Sequence, residues 1–156
     1  MDDISSTIAT SLVDYFEMVR QRAHEWVAPI SEDQLWQRPY PYGNSAGHLL
    51  LHLTGNLNYY VGARIAGTGY VRDRDREFGE TERRPKAEVL AGFDRAIAMV
   101  KDTIRKQSEA DWSAPFSADR SEARDRFSIL LTCAGHAYHH VGQLIYLSKQ
   151  WAAGPL

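Results

Sequence analysis

The stretch His136-Ala-Tyr-His139-His140-Val-Gly-Gln143 places two histidines, His136 and His140, four residues apart in a segment with helical periodicity. On an α-helix, such residues lie about 40° apart around the axis and one turn apart along it. Both imidazoles can therefore reach a single metal ion. A third imidazole is available from the stretch Gly47–Leu53 if the two helices pack side by side. Three neutral histidines with an open fourth position are typical of a catalytic zinc-type site rather than a structural one.

The face of the last helix that carries this histidine pair is predicted to point inward. Within about 60° of His136 lie the following residues: Ile129, Thr132, Cys133, His140, Gln143 and Leu147. Ile129 and Leu147 mark the face as apolar at both ends. Burying two imidazoles costs desolvation energy unless both find partners, and one metal ion satisfies both. His139 lies about 60° to the other side of His136 and is the weaker candidate.

The second helical segment offers two histidines, and their spacing does not choose between them. Small and polar residues lie within about 40° of His52: Ser45, His48, Asn56, Tyr59 and Ala63. This face is either solvated surface or the wall of a pocket near the bundle axis. Because His48 and His52 are themselves four residues apart, both stay open as the third ligand.

Other catalytic and metal-binding patterns are absent from the sequence. His136 is followed by Ala137 rather than by glutamate, which excludes the HExxH arrangement. No histidine has a glutamate three residues before it, which excludes the Glu-x-x-His pairs of di-iron bundles. Cys133 is interpreted as a small buried residue rather than a ligand. His24 has no partner at ligand spacing and is interpreted as a surface or core residue.

Four segments have the periodicity of amphipathic helices, and no segment alternates as a strand does. The helices are predicted over about residues 3–27, 44–67, 85–104 and 123–150, with loops at about 31–43, 69–84 and 111–121. The pattern predicts an all-α fold, a four-helix bundle forming a single domain over residues 1–156. Asp73, Asp75 and Glu77 can supply a general base if their loop folds over the site, although a solvated loop is the favoured interpretation.

The composition argues against nucleic acid and membranes as partners. The 156 residues are 44% apolar and carry a formal net charge of −2 without a basic face. No apolar run approaches the roughly 18 residues that cross a bilayer, and the acidic N-terminus does not resemble a signal peptide. The single cysteine excludes an intrachain disulfide and fits a reducing compartment. A soluble, cytoplasmic protein is the expectation.

Several motifs, in order along the chain, resemble those of the DinB/YfiT-like superfamily of metal-binding four-helix bundles. Ser45-Ala-Gly-His-Leu-Leu-Leu-His52-Leu is similar to its second-helix signature, and His136-x-x-x-His140-x-Gly-Gln143 to its C-terminal signature. Leu35-x-x-Arg38-Pro39, Gly55-Asn-Leu57 and Arg74-Asp-Arg-Glu-Phe78 are similar to segments of one uncharacterised subgroup. The resemblance covers about residues 31–150.

The resemblance implies an up-down-down-up bundle, often a homodimer, that holds one divalent ion. The implied ligands are His52, His136 and His140, with His48 one turn outside as the alternative third ligand. Three imidazoles suit zinc, nickel, iron or copper, so the sequence does not determine the ion.

Relatives in this superfamily include transferases and isomerases that use a low-molecular-weight thiol such as bacillithiol or mycothiol. The resemblance therefore implies a metal-dependent S-transferase that acts on a small electrophile. Asn56, Tyr59 and Gln143 are expected to line the pocket or to hold the ligands through hydrogen bonds. One alternative is a hydrolase in which the ion activates water, and another is a stress protein that only binds metal or a small ligand.

Overall fold

The computed structural model describes residues 3–154, and these residues form helices and connections without strands. The four long helices are α1 (Ile4–Val27), α3 (Ala46–Leu57), α5 (Lys86–Arg105) and α7 (Arg126–Ala153). The three short helices are α2 (Glu32–Trp36), α4 (Arg74–Gly79) and α6 (Glu109–Trp112). The all-α fold expected from the periodicity is confirmed.

Side-chain caps determine where the two helices that carry the histidines begin. The hydroxyl of Ser45 accepts a hydrogen bond from the backbone N–H of His48 at 3.2 Å. Asp125 accepts from the backbone N–H of Ser128 at 2.7 Å and forms a capping box with that residue. These caps satisfy backbone donors that have no partner inside the helix. The last helix therefore begins at Arg126, three residues later than its predicted start.

The long helices pack so that α1 and α3 each contact both α5 and α7. Tyr15 packs edge-on against Tyr138, and the ammonium of Lys149 lies over the ring of Trp26. From the first contact to the second, the residue number increases both in α1 and in α7. These two helices therefore run in the same direction. This orientation is one that an up-down-down-up bundle requires, while the complete topology stays a prediction.

Polar contacts join α1 to α5. Nε2 of His24 lies 2.7 Å from Oδ1 of Asp94, and Lys101 donates to Glu17 at 2.7 Å. From one pair to the other, the residue number falls in α1 while it rises in α5. The two helices therefore run in opposite directions. These pairs also give His24 a partner that its position in the sequence did not reveal, because Asp94 comes from a helix distant in sequence.

One contiguous apolar core joins the long helices. Phe16 from α1, Leu53 from α3, Phe93 from α5 and Leu130 from α7 have no exposed surface. Burying each such side chain contributes about 2 kcal/mol relative to leaving it in water. None of the helices within residues 3–154 combines the length and the apolar character that crossing a bilayer requires.

The connections contain more structure than the sequence predicted. The segment 69–84, predicted as an exposed loop, contains α4, whose N-terminus is capped by Asp73 through the backbone N–H of Arg76 at 3.0 Å. The predicted loop at about 31–43 contains α2, and α6 overlaps the beginning of the predicted loop at about 111–121. Short polar helices lack an apolar period long enough to be recognised, so the loop predictions were wrong at these places.

The second long helix ends differently from its prediction. After Leu57 the chain continues as a π-helical segment, Asn58–Ala63, rather than as α-helix to Gly67. The backbone N–H of Arg64 donates to the carbonyl of Tyr59 at 3.1 Å, which is a bond across five residues. A π-turn holds more residues than an α-turn, so each residue rotates less around the axis. Side chains after Leu57 therefore face different directions from those an α-helix would give.

Candidate metal centre

Three histidines converge where α3 packs against α7. Nε2 of His136 lies 3.2 Å from Nε2 of His52 and 3.0 Å from Nε2 of His140. One ring nitrogen from each residue lies within 4.8 Å of the other two. His52 is buried, while the other two rings are partly exposed. The structure thus brings together the three residues that the family resemblance implied as ligands.

The hydrogen bonds on the far side of two rings orient them toward a common point. Nδ1 of His52 donates to Oε2 of Glu77 at 2.8 Å, and Nδ1 of His140 donates to Oε1 of Gln143 at 2.6 Å. A neutral imidazole carries one N–H, so the Nε2 atoms of both residues face His136 as lone pairs. Such outer hydrogen bonds are typical of histidines that bind metal.

The spacing of the three Nε2 atoms fits a metal ion. Nitrogen ligands at 2.0–2.1 Å from a tetrahedral ion lie about 3.4 Å apart, which is close to the two short separations in this cluster. Hydrogen bonds between the three rings explain these short separations less well. A single proton on Nε2 of His136 can satisfy only one of the two lone pairs that face it. The cluster can therefore hold one divalent ion.

The protonation of the cluster also suits metal binding. Burial lowers the pKa of His136 to about 3, and repulsion by His140 and His52 acts in the same direction. Burial lowers the pKa of His140 to about 4, although its hydrogen bond to Gln143 opposes the change. Both imidazoles are neutral at neutral pH, which is the form that binds metal.

Glu77 connects α4 to the cluster, and its burial corrects the interpretation of residues 69–84 as a solvated loop. Arg72 donates to Oε1 of Glu77 at 2.7 Å and to Oε2 at 2.9 Å, while His52 also donates to Oε2. Burial by itself raises the pKa of Glu77, but the hydrogen bonds from His52 and Arg72 outweigh it and hold the pKa below its usual range. Because both oxygens are occupied, Glu77 positions His52 and is not free as a general base. Asp73 caps α4, and Asp75 is exposed.

Gly55 makes room for the Glu77 carboxylate. A Cβ atom built on Gly55 would overlap Oε1 of Glu77 and lie 2.7 Å from its Cδ. The absence of a side chain at this helical position thus lets the carboxylate approach the backbone and reach His52. Glycine in a helix costs roughly 0.5–1 kcal/mol relative to alanine, so this close approach explains its presence.

His48 lies outside the cluster because other groups occupy both of its ring nitrogens. Its Nδ1 accepts from the hydroxyl of Ser45 at 2.6 Å, and its Nε2 donates to the carbonyl of Glu80 at 2.9 Å. The ring also packs edge-on against Trp36. His139 is exposed and is not one of the converging histidines. Spacing alone left His48 and His52 equivalent, and these contacts distinguish them.

A cavity of about 600 Å³ adjoins the cluster on the side of His52 and His136. Asn56 and Tyr60 line this cavity, whereas Tyr59 lines a neighbouring groove. The reduced rotation in the π-helical segment brings residue 60 toward the face that carries His52 and Asn56. The sequence carried no signal for this change.

Gln143 lines a second cavity, of about 420 Å³, which none of the three converging histidines lines. Its walls are largely aromatic and aliphatic: Tyr40, Tyr42, Leu49, Tyr146 and Leu147. Gln143 also accepts the hydrogen bond from Nδ1 of His140, and its role in holding His140 as a metal ligand stays a prediction.

Cys133 lines the larger cavity but is 2% exposed, and burial raises the pKa of its thiol to about 12. The thiol is therefore protonated at neutral pH.

We expect iodoacetamide to alkylate the folded protein at least about a hundredfold more slowly than the denatured protein, because the thiolate is the reactive form. Mass spectrometry at increasing times measures the two rates. Equal rates would show that the thiol is accessible in the folded state.

The fold and the cluster together define a helical-bundle protein with a candidate metal site of three histidines. The sequence model of the DinB superfamily matches residues 15–144, and the chain therefore belongs to the DinB superfamily. This match confirms the resemblance to the DinB-like superfamily. No curated protein matches the chain.

Proposed function

We propose that the protein is a divalent-metal-dependent S-transferase that joins a low-molecular-weight thiol to a small electrophile. The observation that supports this proposal is the position of the three-histidine cluster beside a cavity of about 600 Å³, which His52 and His136 line and which is large enough for a small substrate. The resemblance of the histidine motifs to those of thiol-dependent relatives gives the reaction class.

The chemistry of the donor set suits this reaction. His52, His136 and His140 would hold a divalent ion, which would lower the pKa of a bound thiol and so supply a thiolate near neutral pH. In the transfer, the thiol sulfur forms a bond to the electrophilic carbon and the bond to the leaving group breaks. The leaving group departs with the electron pair, and the proton of the thiol passes to solvent.

The residues around the cluster have separate roles in this proposal. Glu77 and Gln143 orient His52 and His140 through their Nδ1 atoms. Asn56 and Tyr60 form part of the wall that a substrate contacts. Cys133 stays protonated and therefore does not compete as a nucleophile.

Hydrolysis is the second candidate reaction, and it needs a general base near the cluster. Glu77 is engaged by His52 and Arg72, and the one acidic residue among the described residues that line the cavity is the exposed Glu122. The thiol reaction needs no such base, so we favour the transferase. Binding of metal or a small ligand without catalysis is the third candidate.

A panel of thiols with monochlorobimane separates these three functions. We expect at least one thiol to give bimane thioether, with release of chloride, at least about tenfold faster than without protein. A chelator should remove this acceleration, whereas His139→Ala should retain it, because His139 lies outside the cluster. Metal-dependent turnover of esters or amides without thiol turnover would favour the hydrolase. No turnover of either class would contradict both enzymatic functions.

A further inference from the structure

We infer that the cavity beside the three-histidine cluster binds a carboxylate or phosphate group of a small ligand through Arg74 and Arg120. The inference deepens the proposed function by naming the class of substrate. The interpretation of the bound anion as a substrate rests on that function. Its first test is a binding measurement that requires neither metal nor turnover.

The charge of the cavity wall is the first observation. Three arginines line the cavity, namely Arg72, Arg74 and Arg120, against the single acidic residue Glu122. Glu77 neutralises Arg72 through two hydrogen bonds. Arg74 and Arg120 form no ion pair with any residue within the described range 3–154. Two positive charges thus face the cavity without an internal partner, although the net charge of the protein is negative.

The backbone of Arg120 is the second observation. Its φ is 58°, and it is the one residue other than glycine in the left-handed region among the described residues. This conformation is uncommon for a bulky side chain, and it is found most often where the surroundings and a function require it. The strain suggests that the direction of the Arg120 side chain matters.

Tyr60 holds this strained turn at the edge of the cavity. Its hydroxyl donates to the carbonyl of Asp119 at 3.0 Å and lies 3.4 Å from the carbonyl of Arg120. The Tyr60 ring is buried and lines the same cavity. The π-helical segment that positions Tyr60 therefore also determines where Arg120 lies relative to His52.

Arg74 is placed beside the cluster by aromatic contacts. Its guanidinium lies over the ring of Phe78 at 5.1 Å, and that ring packs against His52 with centroids 4.6 Å apart. A stacked guanidinium keeps its N–H groups free at its edge, where they can bind a carboxylate or phosphate through two parallel hydrogen bonds. Arg74 thus has the geometry to bind an anionic group close to the three histidines.

The acidic residues nearby form no close ion pair with these arginines. Asp73, Asp75 and Asp119 line a groove that adjoins the cavity and that Arg74 and Arg120 also line. None of these carboxylates forms an ion pair with either arginine. Asp73 instead accepts the backbone hydrogen bond that caps α4.

The test titrates metal-free protein with benzoate and with benzamide, a neutral molecule of nearly the same shape, and follows the arginine Nε–H signals by NMR. We expect benzoate to bind at least about tenfold more tightly than benzamide, because hydrogen bonds from a guanidinium to a charged carboxylate are stronger than those to a neutral amide. Phenyl phosphate, titrated in parallel, distinguishes a preference for phosphate from one for carboxylate. The signals of Arg74 and Arg120 should shift on binding.

The double substitution Arg74→Gln/Arg120→Gln should remove the preference for the anion. Arg83→Gln/Arg95→Gln is the matched control, because it removes the same charge from exposed residues that do not line the cavity. All four side chains lie at exposed positions, so both variants should fold, which circular dichroism checks. Equal binding of benzoate and benzamide, a preference that survives in Arg74→Gln/Arg120→Gln, or no saturable anion binding up to about 10 mM would overturn the inference.

The binding result and the transferase result are independent. Anion binding without thiol conjugation would retain this inference and contradict the proposed reaction. Conjugation without anion binding would retain the reaction and show that its substrates are not held by these arginines.

Discussion

Protein carrying His136→Ala or His140→Ala is expected to be purified with less than about a tenth of the divalent metal that the unsubstituted chain carries. Each substitution removes one of three converging nitrogens, and two remaining imidazoles form a much weaker site. Elemental analysis of protein expressed with one added metal measures the content per chain. His52→Ala should cause a similar loss.

Two other histidine substitutions serve as controls for this experiment. His139→Ala removes an exposed histidine next to His140 and should leave the metal content unchanged. His48→Ala should also retain metal, although it should lower stability because its ring bonds to Ser45 and Glu80. Full retention of metal after both His136→Ala and His140→Ala would show that the cluster is not a metal site.

A large loss of folding stability is expected when the ion pair between Glu77 and Arg72 is broken. Their side chains are 6% and 10% exposed, so Glu77→Ala leaves a buried guanidinium without its partner. Removing one member of a buried pair typically costs about 3–5 kcal/mol, and we expect a loss of about 3 kcal/mol. Urea unfolding in the presence of a chelator measures this loss without any contribution from metal.

Gly55→Ala tests the same contact without changing a charge. The added methyl group must displace the Glu77 carboxylate, so the substitution should destabilise the protein by about 2 kcal/mol. Gly135→Ala is the matched control, because a Cβ on Gly135 of α7 meets no atom within 4 Å. Alanine is the better helix former, so this variant should be more stable by about 0.5–1 kcal/mol.

A double substitution tests whether Gly55→Ala lowers stability by displacing the Glu77 carboxylate. In the Glu77→Ala background, Gly55→Ala should cost little, because the carboxylate that it displaces is already absent. If the two losses simply add, Gly55 acts through some other contact. If Gly55→Ala alone is neutral, the close approach of Glu77 to the backbone is not important for stability.

The long helices and the histidine pair were predictable because they depend on local periodicity. The faces of α3 and α7 follow from the positions of apolar residues such as Leu53 and Ile129. His136 and His140 share a face in any α-helix. These features need no knowledge of which parts of the chain meet.

The features of the site that were missed depend on contacts between distant residues. Residues 72–76 alternate in charge and have no apolar period, so the sequence alone gives no reason for α4 to form or for Glu77 to be buried beside His52. Likewise, His48 and His52 become distinct only when Glu80 approaches the first and His136 the second.

The π-helical segment Asn58–Ala63 has a consequence for comparing this chain with its relatives. A π-turn behaves as one extra residue inserted into an α-helix without a loop. A relative that lacks this residue continues as a regular helix and presents a different position to the cavity. An alignment to such a relative that runs without a gap through this segment pairs Tyr60 with a residue that does not share its surroundings. For a pair that differs in this way, equivalent positions after Leu57 are better assigned by superposing structures than by counting along the sequence.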